Sequence, residues 1–351
     1  MCPTTGRGTE AGRGWPWATL ADVARRAGVS PATASRVING SSKPVADELR
    51  ERVLRAVADL RYVPNVHAQL LARPQRSVVG VVVHDVSDPY FAEVTRGLQR
   101  VATDRGRLVI ICNSYRDPER ELEYVEMLRG QQVAASVLAG SGYHDPAFTA
   151  RLTEKLAAHE ATGGRVAVIG RHEHPGDAVM PANSDGARRL GAELRRLGHH
   201  RVGVIAGPRE LTTTSDRLGG VAEGLGAALP PERVRYADFT RDGGARAADE
   251  LLAAVPGLTA LAALNDSMAV GALTLLRARG VRVPEEVSVV GFDDIPVAAD
   301  VTPALTTVRL PLVELGARAM TLALEPAVDR PRVEVLPAEL VRRDSLGPAP
   351  A

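Results

Sequence analysis

Residues 18 to 40 read ATLADVARRAGVSPATASRVING, and this stretch sets the fold of the first part of the chain. Leu20, Val23, Ala24 and Ala27 recur at i, i+3, i+4 and i+7, with Thr19 just ahead to cap the first unpaired amides of a helix. Gly28 supplies the left-handed residue that ends it. Ser30 caps the next helix, and Pro31 suits a first helical position that needs no amide hydrogen. In that second helix Ala34, Val37 and Ile38 share one side, so Ala32 and Arg36 face the other, flanked by Thr33 and Ser35. The outward face is small and polar, with one forked cation able to pair with a guanine edge in a major groove. A third helix, from about Ala46 to Leu60, places Leu49, Val53, Ala56, Val57 and Leu60 on one stripe and closes a small core. The pattern predicts a helix-turn-helix. A helical hairpin packed for stability alone is the plainer reading, and the exposed polar helix argues against it.

Charge supports the same direction. The net charge is +1, yet residues 1 to 76 carry 12 Lys plus Arg against 6 Asp plus Glu, so the basic excess coincides with the three helices. At 351 residues the chain exceeds the size at which one core keeps growing, so more than one domain is expected. No apolar run approaches the roughly 20 residues of a membrane span, and MCPTTGRGTEAGRGWPW lacks the apolar run of a signal peptide. A cytoplasmic, nucleoid-associated protein is expected. Cys2 and Cys112 offer neither a disulfide framework nor metal-ligand spacing.

From Ser77 onward the pattern changes. The apolar runs VVGVVV, RLVIIC, ASVLAG, RVAVIG, RVGVIAG, LTALAAL and VSVVGF are separated by amphipathic stretches such as PYFAEVTRGLQRVATDRG. Continuous β-branched runs between helices indicate parallel strands covered on both faces, a doubly wound α/β architecture. Seven units are too many for one small sheet, so a split after about Pro181 into two lobes is expected, with a ligand between them at the strand ends. The linker PNVHAQLLARPQRS, bounded by Pro64 and Pro74, has room for about two helical turns, too short to be stable alone. Two copies meeting on DNA could bury Ala68, Leu70 and Leu71 as they fold.

The segments TLADVARRAGVSPATASRVING and YVPNVHAQLLA together resemble the lactose/galactose-repressor family of bacterial transcription regulators, and the resemblance runs from residue 19 to about 345. It implies a small all-α helix-turn-helix headpiece followed by a two-lobed α/β domain of the periplasmic-binding-protein type, with doubly wound parallel sheets. The expected divisions are an extension at 1–17, a headpiece at 18–62, a hinge helix at 63–76, a sensor and dimerisation domain at 77–345 and a flexible tail at 346–351. Within the sensor the N-lobe is expected at 77–181 and 308–326, and the C-lobe at 182–307 and 327–345.

By the same resemblance, Thr19, Ser30, Ala32, Thr33, Ser35, Arg36 and Asn39 face operator DNA. Asn65, Ala68 and Leu71 belong to the hinge, with Leu71 as a wedge in the minor groove. Two departures weaken the headpiece: Ala46 stands where a capping Ser is usual and Arg61 where Gly or Asn ends the third helix, each costing about 1 kcal/mol. The cleft is expected to be lined by Asp85, Tyr90 and Phe91 in HDVSDPYF, by Arg171, and by Arg217, Phe239, Asn265 and Asp293 from the other half. Carboxylate and amide acceptors, a forked donor and an aromatic plate suit a polyhydroxylated ligand. Taken singly, Asp293 reads equally as a cap, Arg217 as a structural ion pair, and Phe91 and Phe239 as core. Gly170 stands where many family members have an aspartate. A standard hexose is therefore less expected, and a different sugar, a sugar phosphate, a nucleoside or no ligand would all fit.

No G-x-G-x-x-G, G-x-x-x-x-G-K-[ST] or G-x-S-x-G occurs, and RHEHP places two histidines at i, i+2 in a loop and not at metal-ligand spacing. Neither a catalytic set nor a cofactor or metal is expected. The predicted function is a homodimeric regulator reading a near-palindromic operator under control of a small effector, most simply a carbohydrate. The alternatives are a solute-binding protein and a sugar-modifying enzyme built on the same two-lobed body.

Overall fold

Thr19 opens the first helix with a reciprocal cap: its hydroxyl accepts from Asp22 N, and the Asp22 carboxylate accepts from Thr19 N at 3.0 Å. The computed structural model describes residues 18–39, 45–62, 78–174, 176–328 and 330–350, in two units, Met1–Arg76 and Ser77–Ala351. In the first unit, α1 (Leu20–Ala27), α2 (Pro31–Asn39) and α3 (Asp47–Asp59) close on Val23, Ala24, Ala27, Ala34, Val53 and Ala56. Gly28 ends α1 at φ 65°, and Ser30 Oγ accepts from Thr33 N at 3.1 Å to start α2. Ala46 gives α3 no side-chain cap, and Arg61 sits in the left-handed region at φ 45°. Both weaknesses expected from the sequence are present. One support was not foreseen: Arg52 of α3 donates to Ala27 O at 2.6 Å, covering the carbonyl end of α1.

The second unit holds two six-stranded sheets. The N-lobe sheet has the order β11-β5-β4-β3-β1-β2, all parallel, from β1 (Val78–Val83), β2 (Leu108–Asn113), β3 (Ala135–Ala139), β4 (Arg165–Ile169), β5 (Asp177–Pro181) and β11 (Val333–Leu336). The C-lobe sheet has the order β12-β10-β9-β8-β6-β7, from β6 (Val202–Ala206), β7 (Val234–Tyr236), β8 (Ala260–Ala263), β9 (Ser288–Asp293), β10 (Thr306–Arg309) and β12 (Glu339–Val341), the last antiparallel. The connecting helices of the N-lobe are α4 (Pro89–Asp104), α5 (Pro118–Gly130) and α6 (Pro146–Ala161). Those of the C-lobe are α7 (Asn183–Arg196), α8 (Thr212–Leu225), α9 (Arg241–Ala254), α10 (Asp266–Ala278) and the short α11 (Val297–Asp300). Three helices, α4, α5 and α6, begin with an Asp-Pro pair in which the aspartate caps the following turn.

The chain recrosses between lobes later than the sequence predicted. β10 still pairs with β9 through Arg309, so the C-lobe extends to that residue and not to 307. Then α12 (Leu312–Leu324) packs on α4 so closely that a Cβ on Gly97 would lie 1.9 Å from Val313 O and one on Gly316 2.0 Å from Val94 O. β11 joins β5, so the N-lobe continues to Leu336 and the return lies at 337–338 and not at 326. The break after α12 resembles a crossover, but β11 is an edge strand with Val333 and Val335 exposed, so its pattern lacks the apolar run of a central strand. The tail is also held: Gly347 N donates to Ser288 Oγ at 3.1 Å and Ala349 N to Leu197 O at 2.9 Å, where a flexible end was expected. Among the described residues no helix is long and apolar enough to cross a membrane.

Candidate functional site

On the headpiece, packing of Ala34 into the core turns Ala32 and Arg36 outward, both exposed. Arg36 Nε donates to Ala32 O at 3.2 Å, which lays the guanidinium along the outer face of α2. Thr33 and Ser35 are half-buried on its flanks. Thr19 and Ser30 act locally as caps, with Ser30 Oγ 2.9 Å from Thr33 Oγ1. Asn39 closes α2; its side chain lies outside the described residues, as do Asn65, Ala68 and Leu71 of the expected hinge.

Between the two lobes lies a cavity with about 440 Å³ of non-atom space, its mouth included. Six of the expected residues line it: Tyr90, Phe91, Arg217, Phe239, Asn265 and Asp293. Arg217, 3% exposed, is fixed at the amino-terminal part of α8 by three bonds. Nε donates to Asn183 Oδ1 at 2.9 Å, Nη1 to Leu264 O at 2.6 Å and Nη2 to Asp293 Oδ1 at 2.8 Å. Its guanidinium also lies 4.1 Å from the Phe292 ring centroid. Asp293 ends β9 at φ 111°, a strained conformation for a residue with a Cβ, and such strain collects at functional sites. Burial pushes the Asp293 carboxyl up to about 7 against the opposing pull of Arg217. Asn265 caps α10 through Oδ1, which accepts from Met268 N at 2.8 Å. Phe239 packs end-on over Gly207, where a Cβ would lie 2.1 Å from Cζ.

Two expected residues do not line the cavity. Asp85 folds back on its own loop, with Oδ1 accepting from Ser87 N at 2.9 Å and Ser87 Oγ at 2.7 Å, and Asp88 three residues on takes the place beside the ligand space. Arg171 turns to the rim and pairs with Asp216 at 2.7 Å. The Asp-Pro start of α4 was the available signal for Asp88, since a helix cap at a strand's carboxyl end faces the cleft.

His84, Arg116, Ser141 and Thr213 also line the cavity and escaped the sequence reading. Arg116 sits beyond the end of β2 at φ 60°, next to Tyr115 at φ 53°, and its guanidinium lies 5.4 Å from the Phe239 centroid. Its Nη2 is 3.6 Å from Asp88 Oδ2, beyond hydrogen-bond length, and its Nε is buried without a partner among the described residues. Burial, with the positive charge of Arg116 nearby, holds the pKa of the His84 imidazole well below its ordinary value. The lining thus offers two carboxyls, two guanidiniums, an amide, an imidazole, hydroxyls and aromatic faces, a set of donors and acceptors suited to hydroxyl-rich molecules.

Residues 19–65 match the model of bacterial regulatory proteins of the lacI family, and residues 192–346 match a periplasmic binding protein-like domain. The chain is 37% identical over 337 residues to the HTH-type transcriptional regulator GalR of Escherichia coli K12, covering 94% of this chain and 96% of the relative. Among solved structures it is similar to a Lac repressor dimer bound to operator and the anti-inducer ONPF (TM-score 0.80, 28% identity, 94% of this chain and 99% of that chain). It is also similar to the regulator CelR in complex with cellobiose (TM-score 0.68, 33% identity, 93% and 99%). These likenesses favour neither a solute carrier nor an enzyme. The chain belongs to the lacI family of bacterial regulatory proteins and is a DNA-binding transcriptional regulator.

Proposed function

We propose that the protein is a homodimeric repressor whose hold on a near-palindromic operator is set by a carbohydrate bound between the lobes. The observation that supports this most directly is the interlobe cavity, which gathers Phe239, with Arg116 over its ring, together with Asp88 and the buried Arg217–Asp293 pair. A sugar ring places an apolar face on an aromatic plate and hydroxyls against paired acceptors and donors. The cellobiose bound by CelR has this chemistry. On the DNA side, Ala32, Thr33, Ser35 and Arg36 of each copy read a major groove, with Thr19, Ser30 and Asn39 on the backbone. The hinges, through Asn65, Ala68 and Leu71, meet in the minor groove between half-sites.

The testing experiment is an operator titration at fixed salt, with and without a carbohydrate panel. Arg36→Ala should weaken specific binding by about 1 to 3 kcal/mol and relax one base position, and at least one carbohydrate should alter wild-type affinity. Equal wild-type affinity for operator and scrambled DNA would sink the sequence-reading half. An inert panel would sink the carbohydrate half.

A further inference from the structure

Leu211 lies in the loop between β6 and α8 and so belongs to the C-lobe. Its side chain is nevertheless fully buried in an apolar cluster of the N-lobe, among Leu122, Leu138, Tyr143, Phe148 and Leu156. Around this plug runs a seam of hydrogen bonds between the lobes. The backbone forms an antiparallel bridge between Tyr143 and Leu211, in which His144 N donates to Glu210 O at 2.7 Å and Thr212 N to Gly142 O at 2.9 Å. Side chains extend it: Thr212 Oγ1 donates to Arg171 O at 2.9 Å, Ser141 Oγ to Thr213 Oγ1 at 2.5 Å, and Arg171 pairs with Asp216. The C-lobe partners all fall in 210–216, the stretch that leads into Arg217, and Thr213 itself lines the cavity.

We infer that Leu211 is a positioning residue, a plug that pins the first turn of α8 to the N-lobe so that Thr213 and Arg217 meet a ligand at one lobe angle, and whose seating is coupled to operator affinity. This rests on reading the cleft as the effector site. A leucine in a neighbouring lobe's core is seated or withdrawn, because packed interiors switch between discrete arrangements and do not deform continuously. A ligand held by both lobes and a plug that joins both lobes favour the same angle. Each biases the equilibrium by its differential affinity for the two arrangements.

The test uses the full chain and its operator at fixed salt, with no carbohydrate present. Leu211→Ala should change the operator Kd by about fivefold or more, and Leu211→Met, which keeps the volume, should stay within about twofold of wild type. Leu211→Ala also opens a core cavity, so a rim variant carrying Arg171→Ala and Asp216→Ala, which removes the partly exposed ion pair across the seam, serves as a second probe. It should shift Kd in the same direction by about twofold or more while melting close to wild type. A Leu211→Ala protein that melts earlier but binds operator like wild type when folded would show ordinary core packing and overturn the inference. Should Leu211→Ala fail to fold, an unchanged Kd in the rim variant overturns it. These measurements contain no sugar, so an inert carbohydrate panel removes the effector reading alone and leaves the plug to be judged separately.

Discussion

Glu121 is buried on α5 with no counter-charge: Oε2 has no partner among the described residues, nor does the nearby Tyr143 hydroxyl, and burial pushes the Glu121 carboxyl up to about 8. Its folded pKa lies above the ordinary 4.5, so the folded protein binds this proton more tightly than the unfolded chain. Stability on this account is intact below about 4.5 and falls as pH rises to about 8, by about 5 kcal/mol at most. Glu121→Gln should therefore be more stable than wild type by about 1 to 3 kcal/mol at pH 8 and equal to it near pH 4.5. Urea unfolding across that range checks this; parallel stability profiles for the two proteins would contradict it. Single residues also mark how far sequence carries. Arg217, Asn265 and Asp293 were legible because their segments match the family resemblance, and each lies in a segment at or after the carboxyl end of a strand, where the architecture puts ligands. Arg171 and Asp85 occupy equivalent positions, but Asp216 and Ser87 claim their side chains, and pairing of that kind has no periodicity to read.

At the scale of elements, helix ends were the most legible feature because their signals are local. Thr19, Gly28 and Ser30 bound α1 and α2 as their chemistry dictates. The same logic locates a defect at the start of α3, where Ala46 has extended geometry, φ −54° and ψ 137°, but no oxygen to offer the following amides. Ala46→Ser should stabilise the headpiece by about 1 kcal/mol. Amide hydrogen exchange in α3 of the full chain should slow by about fivefold, and unchanged exchange would count against the missing cap as the weak point. β11 shows the opposite case. It is four residues long, alternates exposed valines with half-buried neighbours, and pairs with β5 more than 150 residues earlier, so only the folded sheet reveals its lobe.

For the whole molecule, the edge strand β2 matters most. Among the described residues it pairs only with β1, and it carries Leu108 and Ile110, 62% and 39% exposed, on one face by alternation. An exposed apolar edge of this kind is a candidate contact for the second copy of the proposed homodimer. The double variant Leu108→Glu, Ile110→Glu should sediment as a monomer at micromolar concentration and melt close to wild type, since both side chains are exposed in the single chain. A variant that remains dimeric would place the interface elsewhere.

The close fit of α12 against α4, glycine to backbone, has a consequence for how the regulator is made. The lobe that opens the sensor is finished by its last helix and strand, so a ribosome must release residue 336 before that lobe's core can close. The three DNA-reading helices emerge some 270 residues earlier and have their own core. During synthesis the protein is thus a basic tether with an unfinished sensor, and a message cut short before α12 would yield polypeptides that still carry the operator-reading helices but cannot answer a metabolite.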